Sequence, residues 1–179
     1  MKSTDLPAVP HQQGPLAEIF PAVTRRVGKD ALGNGWTADE AARAQLLATA
    51  TPGEITDLYR YGDTTEKLAI LKALQLTDVE QAVGDQGLAL IEDAIRTNDQ
   101  RLLAAALGPY ATRHLTGTAF RQAVLKCVFA GVPLAAVHGL PERADDELRR
   151  MMADFATERQ AAGRTVPPDL QPYLDRPER

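Results

Sequence analysis

The chain has 179 residues, enough to bury a substantial core, and its 20 basic and 24 acidic side chains give a net charge of −4. That balance excludes the basic stripe that a nucleic-acid backbone demands. Aromatic residues are only 5% while alanine and leucine abound, which favours helix over sheet. Cys127 is the single cysteine, so no intrachain disulfide forms and a reducing cytoplasm is the expected setting. The opening "MKSTDLPAVPHQQGP" lacks the apolar core of a secretory signal. The uncharged run from Cys127 to Val137 holds a glycine and a proline and is too short to span a bilayer.

Residues 1–13 carry prolines and glutamines without apolar periodicity and are predicted to form a disordered tail. Leu16, Ile19, Phe20 and Val23 then share one face of a first helix, which Pro21 is placed to kink or split. "GNGW" (33–36) reads as a turn. Four helix starts follow, each a Thr or Asp with a glutamate three residues on: Thr37/Glu40, Thr51/Glu54, Asp63/Glu66 and Thr77/Glu80. Their close spacing describes short antiparallel helices joined by tight turns. "GLALIEDAIRTND" (87–99) and "RLLAAALGPYATRHL" (101–115) add two more apolar faces.

A central helix is predicted over 118–131, with Phe120, Val124, Cys127 and Val128 at helical spacing and Gly131 and Pro133 as its stop. Leu125 and Phe129 lie on its far side, so the helix reads as apolar nearly all round and therefore buried. A long amphipathic helix covers about 143–162, and turns and a tail from 171 finish the chain. The expected class is all-α: a stack of short antiparallel helix pairs, HEAT-like in style, in a single domain over 14–170. Nothing in the sequence reads as strand.

Chemistry-bearing motifs are few. His11, His114 and His138 are not at metal-ligand spacing with one another or with Cys127, and no cofactor fingerprint or phosphate loop is present. Neither a metal nor a cofactor is expected. Glu142, Asp145, Asp146 and Glu147 open the last long helix, where acids complement the helix dipole. Cys127 sits on an apolar face and reads as a packing residue. Lys126 is harder to place. It shares a stripe with Gln122 on a helix whose other sides are apolar. Either its ammonium snorkels to water, or it is buried beside a carboxylate or an anionic ligand.

At these residues the sequence resembles a known family. "RTND" (96–99), "GPYATRHL" (108–115) and the stretch "FRQAVLKCVFAGVPLAAVHGLPERADDELRRMMADFATERQAAGR" (120–164) are similar to the EboA family, over roughly residues 85–170. The shared features are a Pro-Tyr pair, a Gln-x-Val-Leu-Lys helix running into Gly-Val-Pro-Leu, and a Glu-Arg-x-Ala-Ala-Gly-Arg ending. Arg121 departs from the asparagine expected before Gln122. The resemblance implies a pathway that makes or exports a natural-product precursor, without assigning a reaction. Carried over residue by residue, it marks Tyr110, Gln122, Lys126, Arg143, Glu147, Glu158, Arg159 and Arg164, with Arg96 and Asn98 beside them.

Two functions follow as expectations. In the first, a non-catalytic helical protein holds a small-molecule pathway intermediate or a partner enzyme. Lys126, Arg143 and Arg96 then form an anion cradle, with Asn98, Tyr110 and Gln122 as neutral donors; the same charges also permit a structural network that fixes helix packing, in which Glu158 or Glu147 neutralises Lys126 or Arg143. In the second, a cofactor-free enzyme uses Lys126 or Glu158 as acid or base, assisted by Tyr110 or His114. Under the first reading Lys126 points into a concave polar site between the central and C-terminal helices, near Arg143 or Glu158.

Overall fold

The computed structural model describes residues 1–7 and 14–175 of the chain. The chain, expected as one helical domain, groups into two compact units, Met1–Arg96 and Thr97–Arg179. Both are helical, as composition and capping predict, and the only strands among the described residues form one small hairpin.

In the first unit, α1 (Leu16–Val27) buries Ile19, Phe20 and Val23, and Pro21 stays inside it without splitting it. The hairpin follows, with β1 (Ala31–Gly33) antiparallel to β2 (Trp36–Thr37), and it corrects the expectation of no strand. Asn34 and Gly35 both take positive φ, 50° and 78°, the backbone that lets two strands reverse within two residues. Lys72 locks the hairpin down: its ammonium bonds Gly35 O and Glu40 and lies 4.7 Å from the Trp36 ring. Next come α2 (Ala38–Leu47), α3 (Pro52–Tyr61), α4 (Thr64–Ala73), α5 (Thr77–Val83) and α6 (Gly87–Arg96).

Three of the four predicted starts are capped reciprocally. Glu40 accepts the Thr37 amide at 2.9 Å, Glu54 the Thr51 amide at 2.8 Å, and Glu66 the Asp63 amide at 3.0 Å. At the fourth, α5 begins one residue early, with Leu76 at the cap position. The Thr77 amide instead donates to Met1 O at 3.0 Å. That bond belongs to a correction at the N-terminus. Residues 1–7, expected in the tail, dock on α5. Ser3 is buried and its amide donates to the Asp78 carboxylate at 2.9 Å, while Leu6 is 6% exposed. The rest of the expected tail, 8–13 with His11, lies outside the described residues.

Helix α2 is the hub of this unit and packs on α1, α4 and α5. Its face is alanine-rich, with Ala41, Ala42 and Ala44 fully buried, so neighbouring backbones approach closely. At its centre lies a buried ion pair, Arg43 to Asp39 at 3.0 Å, with both side chains at most 3% exposed. Asp39 also accepts from Thr24 on α1 at 2.8 Å and from Thr37 on β2 at 2.6 Å.

The second unit comprises α7 (Gln100–Ala106), α8 (Pro109–His114), α9 (Gly117–Ala130), α10 (Leu140–Arg143), α11 (Asp146–Ala161) and α12 (Gln171–Leu174). Its core is built from Leu103, Phe120, Val124, Leu140, Leu148 and Met152. Helix α9 is the predicted central helix, ending at Gly131. The predicted 143–162 helix is interrupted at its start, because Asp145 caps α11 by accepting the Leu148 amide at 2.9 Å. Gln171–Leu174, expected in the C-terminal tail, form α12, and residues 176–179 lie outside the described residues.

Burial raises the Asp39 carboxyl, but the bonds from Thr37, Thr24 and Arg43 outweigh it and hold the group below its ordinary range. Arg43→Met leaves that carboxylate buried without its cation and should lower unfolding stability by about 3 to 5 kcal/mol in urea titrations. Because the folded Asp39 is depressed, its contribution is complete above its unfolded value near about 4 and is lost as pH falls through the folded value. The stability gap between the native chain and Asp39→Asn should therefore narrow below about pH 4.

Candidate functional site

The residues predicted for the site are distributed by the fold according to what each side chain bonds. Arg143 is occupied by backbone. Its guanidinium donates to Thr112 O at 2.8 Å and Leu115 O at 2.9 Å, with Ala111 O at 3.5 Å. Thr112 O and Leu115 O lie at the end of α8 beyond its last helical N–H, whereas Ala111 O already accepts the Leu115 amide, so a forked cation is what the end of α8 needs. The same guanidinium lies 4.1 Å from the centre of the Phe120 ring. Arg143 thus fastens α8 to α9 and α10.

Tyr110 is 4% exposed and stacks on His114 with ring centres 4.2 Å apart. Gln122 and Asn98 are exposed. Arg96, in the first unit, is exposed and pairs with Asp93 at 3.4 Å. Arg121, the departure from the expected asparagine, forms an ion pair with Asp145 at 2.6 Å and so braces the N-cap of α11 against α9.

Lys126 is half-buried. The thiol of Cys127 next to it is fully buried, and burial pushes it up to about 12 although the Lys126 charge pulls the other way. At neutral pH that sulfur is a protonated, apolar filler.

Three of the residues that the resemblance marks, Glu158, Arg159 and Arg164, line a concave site. Glu158 shares a recess of about 80 Å³ with Phe129, Phe155, Arg159, Ala162 and Arg164, where the ends of α9 and α11 meet. Phe129 is 67% exposed, which corrects the expectation that α9 is buried on every side. Its ring meets Phe155 edge-on, centres 4.8 Å apart. Arg159 is held by its Nε, which donates to Thr165 O at 2.6 Å, and by the Phe155 ring 5.6 Å away. The Arg164 amide donates to Arg159 O at 2.8 Å, so the turn after α11 sets both arginines. Phe129 reads from sequence as core, and outside the expected cradle of Lys126, Arg143 and Arg96 the resemblance marks Arg159 and Arg164 as polar positions. Their spacing around "ERQAAGR", with Phe129 one turn beyond Lys126, was the available signal.

Comparison with known families decides the relationship. The family described as metabolite traffic protein EboA matches residues 22–175. The chain belongs to the EboA family. The match begins within α1, far upstream of the stretch whose motifs resemble the family, so the capped helices of the first unit are EboA sequence too. No curated protein and no solved structure matches the chain. No helix among the described residues of this EboA protein is long and apolar enough to cross a membrane.

The Cys127 thiol gives a direct check on the α9 packing. With its titration pushed to about 12, only about one sulfur in ten thousand is thiolate at pH 8. A disulfide reagent should therefore label the native protein slowly and the urea-unfolded protein at once. Rapid native labelling at pH 8 would contradict the buried placement.

Proposed function

We propose that this EboA protein is a non-catalytic carrier in a natural-product or precursor pathway, binding a small anionic intermediate with an aromatic or otherwise flat apolar body. The observation that carries the reading is the exposed Phe129 ring in one recess with Arg159, whose guanidinium is held by Thr165 O, and Arg164. Arginine forks recognise carboxylate or phosphate, and an exposed aromatic face accepts a flat apolar body. A recess of about 80 Å³ takes an acidic head group, with the body lying across Phe129. Glu158 supplies an acceptor and disfavours a second anionic group. Lys126, three residues before Phe129 and so on the same stripe of α9, adds positive potential. The family description as a metabolite traffic protein supports handling of a metabolite. The proposed setting is the cytoplasm, and the proposed recipient of the intermediate is a partner enzyme.

Carriage is favoured over chemistry by what surrounds the polar groups. An acid–base pair of Lys126 and Glu158 asks both to face one recess, and Glu158 alone lines it. Tyr110 and Arg143 are engaged in packing α8.

Calorimetric titration with indole-3-acetate against its neutral amide tests the reading. The acid should bind at least about tenfold more tightly, and Arg164→Ala or Phe129→Ala should remove about a tenfold share of that affinity. Lys126→Met, which keeps length and loses charge, should weaken the acid less than Arg164→Ala does. Equal affinity for acid and amide, or acid binding untouched by Arg164→Ala, would overturn the proposal.

A further inference from the structure

The first unit contains a groove of about 240 Å³, three times the volume of the Phe129 recess. Its floor is apolar, from Leu16 and Ala17 on α1 and Leu58 on α3. The polar groups around it are of one kind. Glu54 and Asp57 on α3 and Glu66 on α4 bring three carboxylates, and no lysine or arginine among the described residues lines the groove.

Each acid is placed by local structure. The Glu54 carboxylate accepts the Thr51 amide at 2.8 Å and the Thr51 hydroxyl at 2.7 Å, bonds that hold it below its ordinary range and keep it charged at neutral pH. Asp57 stands one helical turn further along α3. Glu66 is 7% exposed, and the Asp63 amide it accepts at 3.0 Å fixes its place in the wall. Gly62 is required beside it: a Cβ there would lie 2.8 Å from Glu66 Oε2 and 2.5 Å from Leu58 O.

Two further features point to the same chemistry. Pro21 lies inside α1 and has no N–H, so Ala17 O lacks its helical donor, and both residues line the groove. Tyr61, 78% exposed, sets an aromatic face at the rim. Carboxylates, a carbonyl without its helical N–H and an aromatic face are all partners of a positively charged donor. Together with an apolar floor they describe recognition of an ammonium group carried on an apolar body.

We propose that this groove is a second ligand site, selective for small amphipathic organic ammonium ions. It is independent of the anionic carrier reading, since none of its residues belongs to the Phe129 recess. The ammonium sits among Glu54, Asp57 and Glu66, its N–H groups reaching Ala17 O, and its apolar body lies on Leu16 and Leu58 beneath the Tyr61 ring.

The test titrates the full chain with phenethylammonium, 2-phenylethanol and 3-phenylpropionate, followed by calorimetry and by amide chemical shifts. Phenethylammonium should bind at least about tenfold more tightly than the alcohol, the propionate should not bind in the groove, and shifts should gather on α1, α3 and α4. Asp57→Asn, at a position with no bond to the fold, should weaken the ammonium about three- to tenfold. Glu66→Gln keeps the capping acceptor and should do the same. Tyr61→Leu should cost about two- to fivefold, and Arg164→Ala should change nothing. Equal binding of ammonium and alcohol, shifts confined to the second unit, or full ammonium affinity in the Asp57→Asn, Glu66→Gln double variant would overturn the site.

Discussion

The first unit depends on one carboxylate. Asp39 is buried, and its carboxylate accepts from three side chains at once: Thr24 from α1, Thr37 from the hairpin and Arg43 from its own helix. Arg43 in turn lies 5.4 Å from the Phe20 ring on α1. An alanine-lined helix such as α2 gains little area per residue and has few large side chains, Arg43 and Leu47 among them, to key it against its neighbours. The two charges stay paired with each other wherever α2 sits, so the keying comes from the contacts they make off the helix: the Thr24 hydroxyl on Asp39 and the Phe20 ring beside Arg43. Close approach from alanine and a fixed register from Asp39–Arg43 are two halves of one design.

What rests on that register reaches the groove. Helix α1, held through Thr24 and Phe20, carries Leu16, Ala17 and Pro21 into the groove wall. Helix α4, packed on α2, carries Glu66. A change at Arg43 would therefore move apolar floor and carboxylate together, which links the stability of the unit to the shape of its cavity.

Much of this was legible in the sequence because it is local. A capping box joins residues three apart, and Thr37/Glu40, Thr51/Glu54 and Asp63/Glu66 each formed as spaced. Thr77/Glu80 looks the same in sequence, yet Met1 O takes the Thr77 amide, a contact no local pattern contains. The hairpin escaped because strands of three and two residues are too short to show alternation, although its turn was plain. The site fared worse for the same reason. Arg143 reads as a ligand arm because its partners are backbone carbonyls, which every sequence has everywhere. Phe129 reads as core because helical spacing shows that a face is apolar without showing whether anything covers it. The ordered motifs of the second half carried the family resemblance. The groove has no ligand motif, since Glu54 and Glu66 read as caps of separate helices and Asp57 as an exposed position within α3.

The sign of each recess follows from which helix ends meet there. Acids gather in the first turns of helices, where amides lack acceptors, and bases in the last turns, where carbonyls lack donors. The groove runs from the start of α1 along α3, from Glu54 in its first turn to Tyr61 in its last, to the start of α4, so Glu54 and Glu66, present as caps, supply two of its three carboxylates and Asp57 adds the third. The Phe129 recess opens on the last turn of α9 and the end of α11, and there Arg159 and Arg164 are the residues that a helix terminus accommodates. Capping chemistry, which folds the helices, thereby supplies most of the groove's charge, while in the Phe129 recess Arg159 holds the turn after α11 through Thr165 O. Binding selectivity in each needs only an apolar surface beside the capped end, and Leu58 with Tyr61 in one unit and Phe129 with Phe155 in the other provide it.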